Sequence, residues 1–468
     1  MLHRVNKLQF ETTCTTEAQA FELRHSISET CQQQVADVID KICSQYVSED
    51  EWIKIDKLEI DLGNFNIDSF EKKFTAVFLT KFEKEISKLV SNIPAAEKKI
   101  SKQVSALELL KYFLQTGSLP WWADDETVNI NTVFTEVLEQ QQLQFCNFLE
   151  QHRFTPAVWQ RMALQLNEQI QKNIIPLFSK LAAAKNKIIG WTGVILGQNI
   201  NSSDEINIDG KLLQKIHLFV LYNAPGFFTG VKENLQMLQL IKEYTKEFAA
   251  VIHPAFSIEE AMKKIIAYEK QAANDNIAGQ SANEVNEKME ENISLITNEE
   301  ILPEKFTVHT AGLVLLAPYL KQLFTHLNLL VKDEWKNKEA NYKAIHLVRY
   351  LATGQQQCPE YSLVVEKLLC GMEISAPIPG DVLLTEGETA EATELLKAVI
   401  SNWVKLKNTS VDGLRETFLK RDGMLKKKEN SWLLQVERKT ADVLLESVPW
   451  GFSTLAFSWN NYIIFTEW

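Results

Sequence analysis

The sequence predicts an α+β protein, predominantly α-helical, with a small strand-helix-strand-helix domain at its start and a compact Trp-rich domain at its end. Three observations predict it. Apolar residues alternate across 53–62, which is the period of a half-buried strand. From 68 onward they step almost everywhere by three and four, which is the period of a helix face. Tryptophans then gather in the last third, ending in Trp450, Trp459 and Trp468. The chain has 468 residues, enough for about two or three domains.

The first domain spans 1–92. Residues 3–13 read as a strand and 16–46 as a helix. In that helix Ile27, Cys31, Val35, Val38, Ile39, Ile42 and Tyr46 share one face. In the segment Trp52 to Gly63, Ile53 and Ile55 alternate on one parity, and Leu58, Ile60 and Leu62 on the other. A β-bulge near Asp56-Lys57 would bring both sets to one face. A second helix is expected over 68–91, with Asp68 as its cap and Glu71 at capping-box spacing. Phe70, Phe74, Phe78, Phe82, Ile86 and either Leu89 or Val90 form its face. Such a stripe serves either as a partner-binding surface or as core, and core is the commoner use. Two helices on one face of a short antiparallel sheet would complete the domain.

Residues 92–104 read as a charged linker, and 105–268 as a helical middle region. That region breaks at Gly117-Ser118-Leu119-Pro120, Gly210 and Pro225-Gly226, and has an exposed polar loop at 198–211. Residues 269–300, rich in Gln, Asn, Glu and Ala, form a polar linker. A helical C-terminal domain, 301–468, follows.

Composition narrows the function. Apolar residues make up 45 % and charged residues 24 %, values that support sizeable cores. The formal charge of −12 disfavours nucleic-acid binding, which needs a positive surface to displace counterions. No apolar run approaches the ~18 residues of a membrane span, so membrane insertion is not expected, nor is a signal peptide. The six cysteines lack CxxC spacing, so neither zinc nor a disulfide framework is expected.

Catalytic signatures are missing. The chain has no GxxxxGK[ST] phosphate loop, GxGxxG turn, HExxH helix or GxSxG elbow. Asp56, Glu59 and Asp61 are the densest carboxylate set, and two of them on one strand face could work as acid and base. The interleaved Leu58, Ile60 and Leu62 give the simpler account, a solvent-facing row on a half-buried strand. His346, among Ile345, Leu347 and Val348, reads as a packed structural histidine. The expectation is therefore a protein without catalytic, metal or cofactor sites. The tryptophans, Trp121, Trp122, Trp450 and Trp459 above all, are expected to act as buried anchors and secondarily as interface residues.

Five blocks share an order across the chain and together resemble the tape measure proteins of contractile injection systems. The first is Ile53 to Gly63, whose Asp56, Leu58, Glu59, Ile60, Asp61, Leu62 and Gly63 match an IDxLEIDLG element. The second is Leu110 to Trp122, with Gly117, Leu119, Pro120, Trp121 and Trp122 matching FLxTGxLPWW. The third is Ala311 to Leu320, carrying Gly312 and Pro318, and preceded by Thr310 where the family often has Asn. The fourth runs from Ala344 to Gly354 and from Glu366 to Gly371. The fifth is Gly413 to Gly423, with Gly413, Leu414, Arg415 and Phe418, and closes at Asp442 to Gly451 with Pro449 and Trp450.

The resemblance brings no catalytic residues and no cofactor. It implies a phage-tail-like bacterial particle with an inner tube, a sheath and a baseplate. The chain would set tube length or initiate tube assembly there. Its partners would be the inner tube, the baseplate and spike hub, and a tail cap, and a homo-oligomer stays open. Assembly would occur in the bacterial cytoplasm, with later incorporation into the particle. A soluble adaptor or chaperone that is not retained in the particle is the alternative. A helical ruler extends ~1.5 Å per residue, so 123–300 as one helix would reach roughly 270 Å. Globular ends cannot also be ruler.

Overall fold

Phenylalanines at i,i+4 spacing build the first core. A computed structural model of the chain describes residues 5, 8–14, 16, 23, 35–46, 55, 57–65, 70–92, 102–123, 127–195, 210–229, 263–267, 305–380, 382–429 and 431–468. Helix α1 (Ala36–Tyr46) presents Val38 and Ile42 to helix α2 (Phe70–Asn92). From α2, Phe70, Phe74, Phe78, Phe82 and Ile86 are all buried. Successive rings lie 5.0, 5.9 and 5.4 Å apart, so the stripe is core, held by ring contact as well as burial. Ile55, Leu58, Ile60 and Leu62 pack against it, whereas Lys57, Glu59 and Asp61 point to solvent.

The inward positions of both parities thus do share one face. The expected strand is corrected in one respect: among the described residues of 1–92 no hydrogen-bonded ladder forms. Trp52 to Lys54, Asp56 and the cap at Asp68 lie outside the described residues, as do the loop 198–209 and the linker 269–300.

The chain divides into two units. One comprises Met1–Leu109, Trp121–Ala123 and Glu136–Gln141, and the other Leu110–Pro120, Asp124–Thr135 and Gln142–Trp468. Helix α3 (Lys102–Thr116) and helix α4 (Ile130–Gln140) contribute to both. The expected break after α3 is a left-handed cap. Gly117 has φ +73° and its N–H donates to Phe113 O at 2.8 Å.

In the second unit, α5 (Gln142–Gln151), α6 (Pro156–Gln165), α7 (Glu168–Ile174), α8 (Ser179–Ile195) and α9 (Gly210–Tyr222) are short and buried on one side. Pro156 opens α6, and the Asn167 side chain caps α7 by accepting from Ile170 N–H at 3.0 Å. The fully buried Trp159 lies 5.5 Å from the Phe178 ring and 5.3 Å from that of Phe228.

The C-terminal segment, expected as a helical domain over 301–468, carries a sheet as well as helices. Seven strands form there: β1 (Lys305–Val308), β2 (Leu330–Val331), β3 (Glu334–Trp335), β4 (Gly423–Lys427), β5 (Ser431–Val436), β6 (Thr454–Leu455) and β7 (Ile463–Glu467). Five of them form one sheet in the order β1-β4-β5-β7-β6, antiparallel except for the parallel pair β5/β7. β2 and β3 make a separate hairpin. Phe306, Val308, Leu425, Trp432, Leu434 and Ile464 line the sheet's buried face. The core it joins is built from α10 (Ala317–His326), α11 (Lys338–Thr353), α12 (Val364–Leu369) and α13 (Glu386–Asn402). The strands have 2–6 residues each, too short for alternation to stand out among the helical stretches between them.

Candidate functional site

The carboxylates of the first block do not make a site. Glu59 and Asp61 are exposed, and Asp56 lies outside the described residues. Glu59 is paired with the exposed Lys57, and Asp61 accepts the Gly63 N–H at 2.9 Å. Gly63 is required for its φ of +77°, since a Cβ there would meet open space.

The second block leads to a buried charged centre. Arg161, on α6, is fully buried although its neighbours Trp159 and Met162 are core. Its Nε donates to Glu360 Oε2 at 3.1 Å, and its two terminal nitrogens donate to Leu114 O and Ser375 O. Lys367 Nζ donates to Glu360 Oε1 at 2.7 Å, to Ile374 O at 3.0 Å and to Ala376 O at 2.8 Å. Burial pulls the Lys367 amine down from 10.5 to about 8, against the opposing pull of Glu360. Gly117 closes the centre from above. A Cβ there would lie 2.6 Å from Glu360 Oε1 and 2.8 Å from an Arg161 nitrogen. Pro120 is buried and Leu119 half-buried. The expectation of buried anchors is corrected at Trp121, which is 39 % exposed, while Trp122 is half-buried.

A second centre joins the third and fourth blocks. Glu366 Oε1 accepts from Thr310 at 2.9 Å and from Arg349 at 3.3 Å. Burial raises the Glu366 carboxyl, and Arg349 partly offsets that. His346 is buried. Its Nε2 reaches Pro379 O at 3.0 Å, while Nδ1 faces Cys358 Sγ at 3.7 Å. Burial pushes the Cys358 thiol up to about 12, which favours the protonated thiol beside the imidazole. Pro318 lies in the first turn of α10, where its missing N–H costs nothing.

Gly312 admits the fifth block: a Cβ there would sit 1.7 Å from Phe418 O. Leu414 and Phe418 are core, and the Gly413 N–H donates to Ser410 Oγ at 3.0 Å. Arg415 binds Leu351 O at 3.1 Å and Asp412 at 3.1 Å. Arg421, fully buried, holds Asp442 at 2.7 Å, and the Trp468 indole donates to that same carboxylate at 3.0 Å. Pro449 is exposed. Trp450 is half-buried, with its Nε1 donating to Leu315 O at 2.9 Å, and Trp459 Nε1 donates to Leu369 O at 3.0 Å.

Sequence reading missed Arg161, Glu360 and Arg421 as buried partners, and Arg349 and Asp442 as half-buried ones. Arg161 carried a signal, a lone cation within the apolar run Val158 to Leu164. The other four carried none, because their partners are distant in sequence. Among the described residues no group of three or more His, Cys, Asp or Glu is placed to hold a metal.

Several of the described motif residues thus close turns, admit neighbouring backbone or anchor buried ion pairs. The chain belongs to the contractile injection system tape measure protein family, whose model matches residues 2–468. No curated protein and no solved structure matches it.

Proposed function

We propose that the chain is a non-enzymatic assembly protein of the injection particle that initiates growth of the inner tube. The family match across 2–468 carries this reading. The packing of the middle helices supports initiation over measurement by those helices: between 130 and 195 each has 7–17 residues and is folded back onto shared core. The partners proposed are the inner-tube protein, the baseplate and spike hub, and a tail cap, met in the bacterial cytoplasm.

The experiment is a series of in-frame deletions within 130–195, with particles imaged and their composition measured. Initiation predicts that deletions which break the Trp159–Phe178 core abolish tubes. Tubes that persist and shorten by ~1.5 Å per deleted residue would instead make this segment a helical ruler. Particles of normal length that lack the protein would make it an unretained adaptor.

A further inference from the structure

The apolar core centred on α10, α11 and the sheet draws all its residues from Phe306 to Ile464. Among the described residues, none of the helical segment 110–229 belongs to it. That segment has a core of its own around Trp159, Phe178 and Phe228. What joins the two is polar. Arg161 binds Glu360 and Ser375 O, and Gln165 Nε2 donates to Ile378 O at 2.6 Å. The Glu360 N–H donates to Gln165 Oε1 at 3.3 Å, and Tyr361 OH donates to Val128 O at 2.8 Å. Among the described residues a ring contact, Phe113 with Tyr361 at 6.2 Å, accompanies them, and Tyr222 of α9 interacts electrostatically with Lys338 and Tyr342 of α11.

A seam of this kind differs from a core cut in two. Two apolar faces that separate lose stabilisation in proportion to area, and nothing in water replaces it. Polar groups that separate regain water, so a seam of buried charges has a smaller net cost of opening, yet fixes one register while closed. Here the charge does not balance, since Arg161 and Lys367 share the single carboxylate of Glu360. All three side chains are at most 1 % exposed.

We propose that the Arg161–Glu360–Lys367 centre is a latch, from which the folded helical segment 110–229 undocks from the 305–468 body without either of them unfolding. The inference is independent of the assembly role, because it concerns an equilibrium of the isolated chain. The charged groups facing Lys367 are Glu360, from the turn Glu360–Ser362, and Arg161, from α6. The carbonyls of Ile374 and Ala376 complete its shell. Glu366, its neighbour on α12, is engaged by Thr310 and Arg349 instead. The undocked state returns the amine to water and its ordinary value of 10.5, against about 8 when latched. Undocking therefore binds protons, and should become about tenfold rarer between pH 6.5 and pH 9.

Thiol labelling of the full-length chain with iodoacetamide, corrected for thiol ionisation, tests this through three buried sites. Ser375→Cys reports the seam, native Cys370 the C-terminal core, and Ala163→Cys the core of the helical segment. The latch predicts that Ser375→Cys labels at least tenfold faster than the other two, with a weaker denaturant dependence, and about tenfold slower opening at pH 9 than at pH 6.5. Glu360→Gln should accelerate the seam probe alone. Equal rates at Ser375→Cys and Cys370 would overturn the latch, because the seam would then open only by global unfolding. Fast labelling at Ala163→Cys would also overturn it, because the segment would be melting rather than undocking. The comparison of Ser375→Cys with Cys370 and Ala163→Cys leaves the triad intact, so it decides the matter even where Glu360→Gln fails to fold.

Discussion

Gly312→Ala should be among the most damaging single-methyl changes available in this chain. The Cβ it adds would lie 1.7 Å from Phe418 O, 2.7 Å from Phe418 C and 2.9 Å from Leu419 Cα. All three are main-chain atoms, so no rotamer change relieves the overlap. Reaching an ordinary contact of 3.4 Å requires doubling the first separation. Moving either strand of chain by that much pulls apart residues that are nearly all buried: Ala311 to Leu316 on one side, Leu414, Phe418 and Leu419 on the other. Overpacking usually costs about 1–3 kcal/mol and more where the backbone cannot yield. We expect at least ~3 kcal/mol, read from urea denaturation followed by tryptophan fluorescence. Gly387→Ala is the control. It adds the same methyl in the first turn of α13, its nearest neighbour 4.0 Å away, and should stabilise by ~0.5–1 kcal/mol. If the two variants unfold within ~0.5 kcal/mol of each other, the close approach at Gly312 is not real.

Three other expectations are open to test. Lys367 has its folded value below its unfolded one, so the unfolded chain binds more protons between about 8 and 10.5 and this group's contribution to stability rises with pH there. Between pH 6.5 and 9 the gain is on the order of 1 kcal/mol, and Lys367→Met should flatten it. Trp450→Phe keeps a ring against Tyr319 but strands Leu315 O, for a loss of ~1–2 kcal/mol in thermal or urea unfolding, while Trp450→Ala should cost ~3 kcal/mol. At pH 8 the folded chain should leave Cys358 and Cys370 unmodified by iodoacetamide for longer than Cys146; mass mapping that finds Cys358 labelled first would contradict its raised thiol.

The helices were legible because their signal is local. The Phe70-to-Ile86 stripe and the stop at Gly117 each follow from spacing or from one residue's conformational freedom. The sheet was not legible, because β1 and β4 pair across more than a hundred intervening residues and their inward faces are short: Phe306 and Val308 in one, Leu425 in the other. Buried charge was the least visible property. Arg161 and Glu360 lie 199 residues apart, and a periodicity count treats each as a surface residue. The tryptophans were half legible. Composition marks them as anchors, but how far an indole is buried, as with half-buried Trp450 and the more exposed Trp121, depends on neighbours the local sequence does not contain.

The glycines of the motif blocks and the buried arginines explain one another. Gly117 leaves room for Arg161 and Glu360, and Gly354, at φ +72°, leaves room for Arg415, whose nearest nitrogen would be 2.9 Å from an added Cβ. Gly371, at φ +69°, does the same for the carbonyl of Trp459, at 2.6 Å. In each case a helix ends in a left-handed residue, and the space a side chain would have taken is filled by a group from a distant segment. The same residue therefore serves two levels of structure: it stops the helix locally, and it lets the chain docked upon it come close enough for a buried hydrogen bond. A helix with a larger residue at its cap could still form, at a local strain of about 1–2 kcal/mol. It could no longer receive its partner segment, and the charged side chain left behind would be buried without its carbonyl or carboxylate. Removing one partner of a buried pair costs ~3–5 kcal/mol, so the docking loss outweighs the local one. In this protein Gly117, Gly354 and Gly371 are thus constrained chiefly by contacts between segments far apart in the chain.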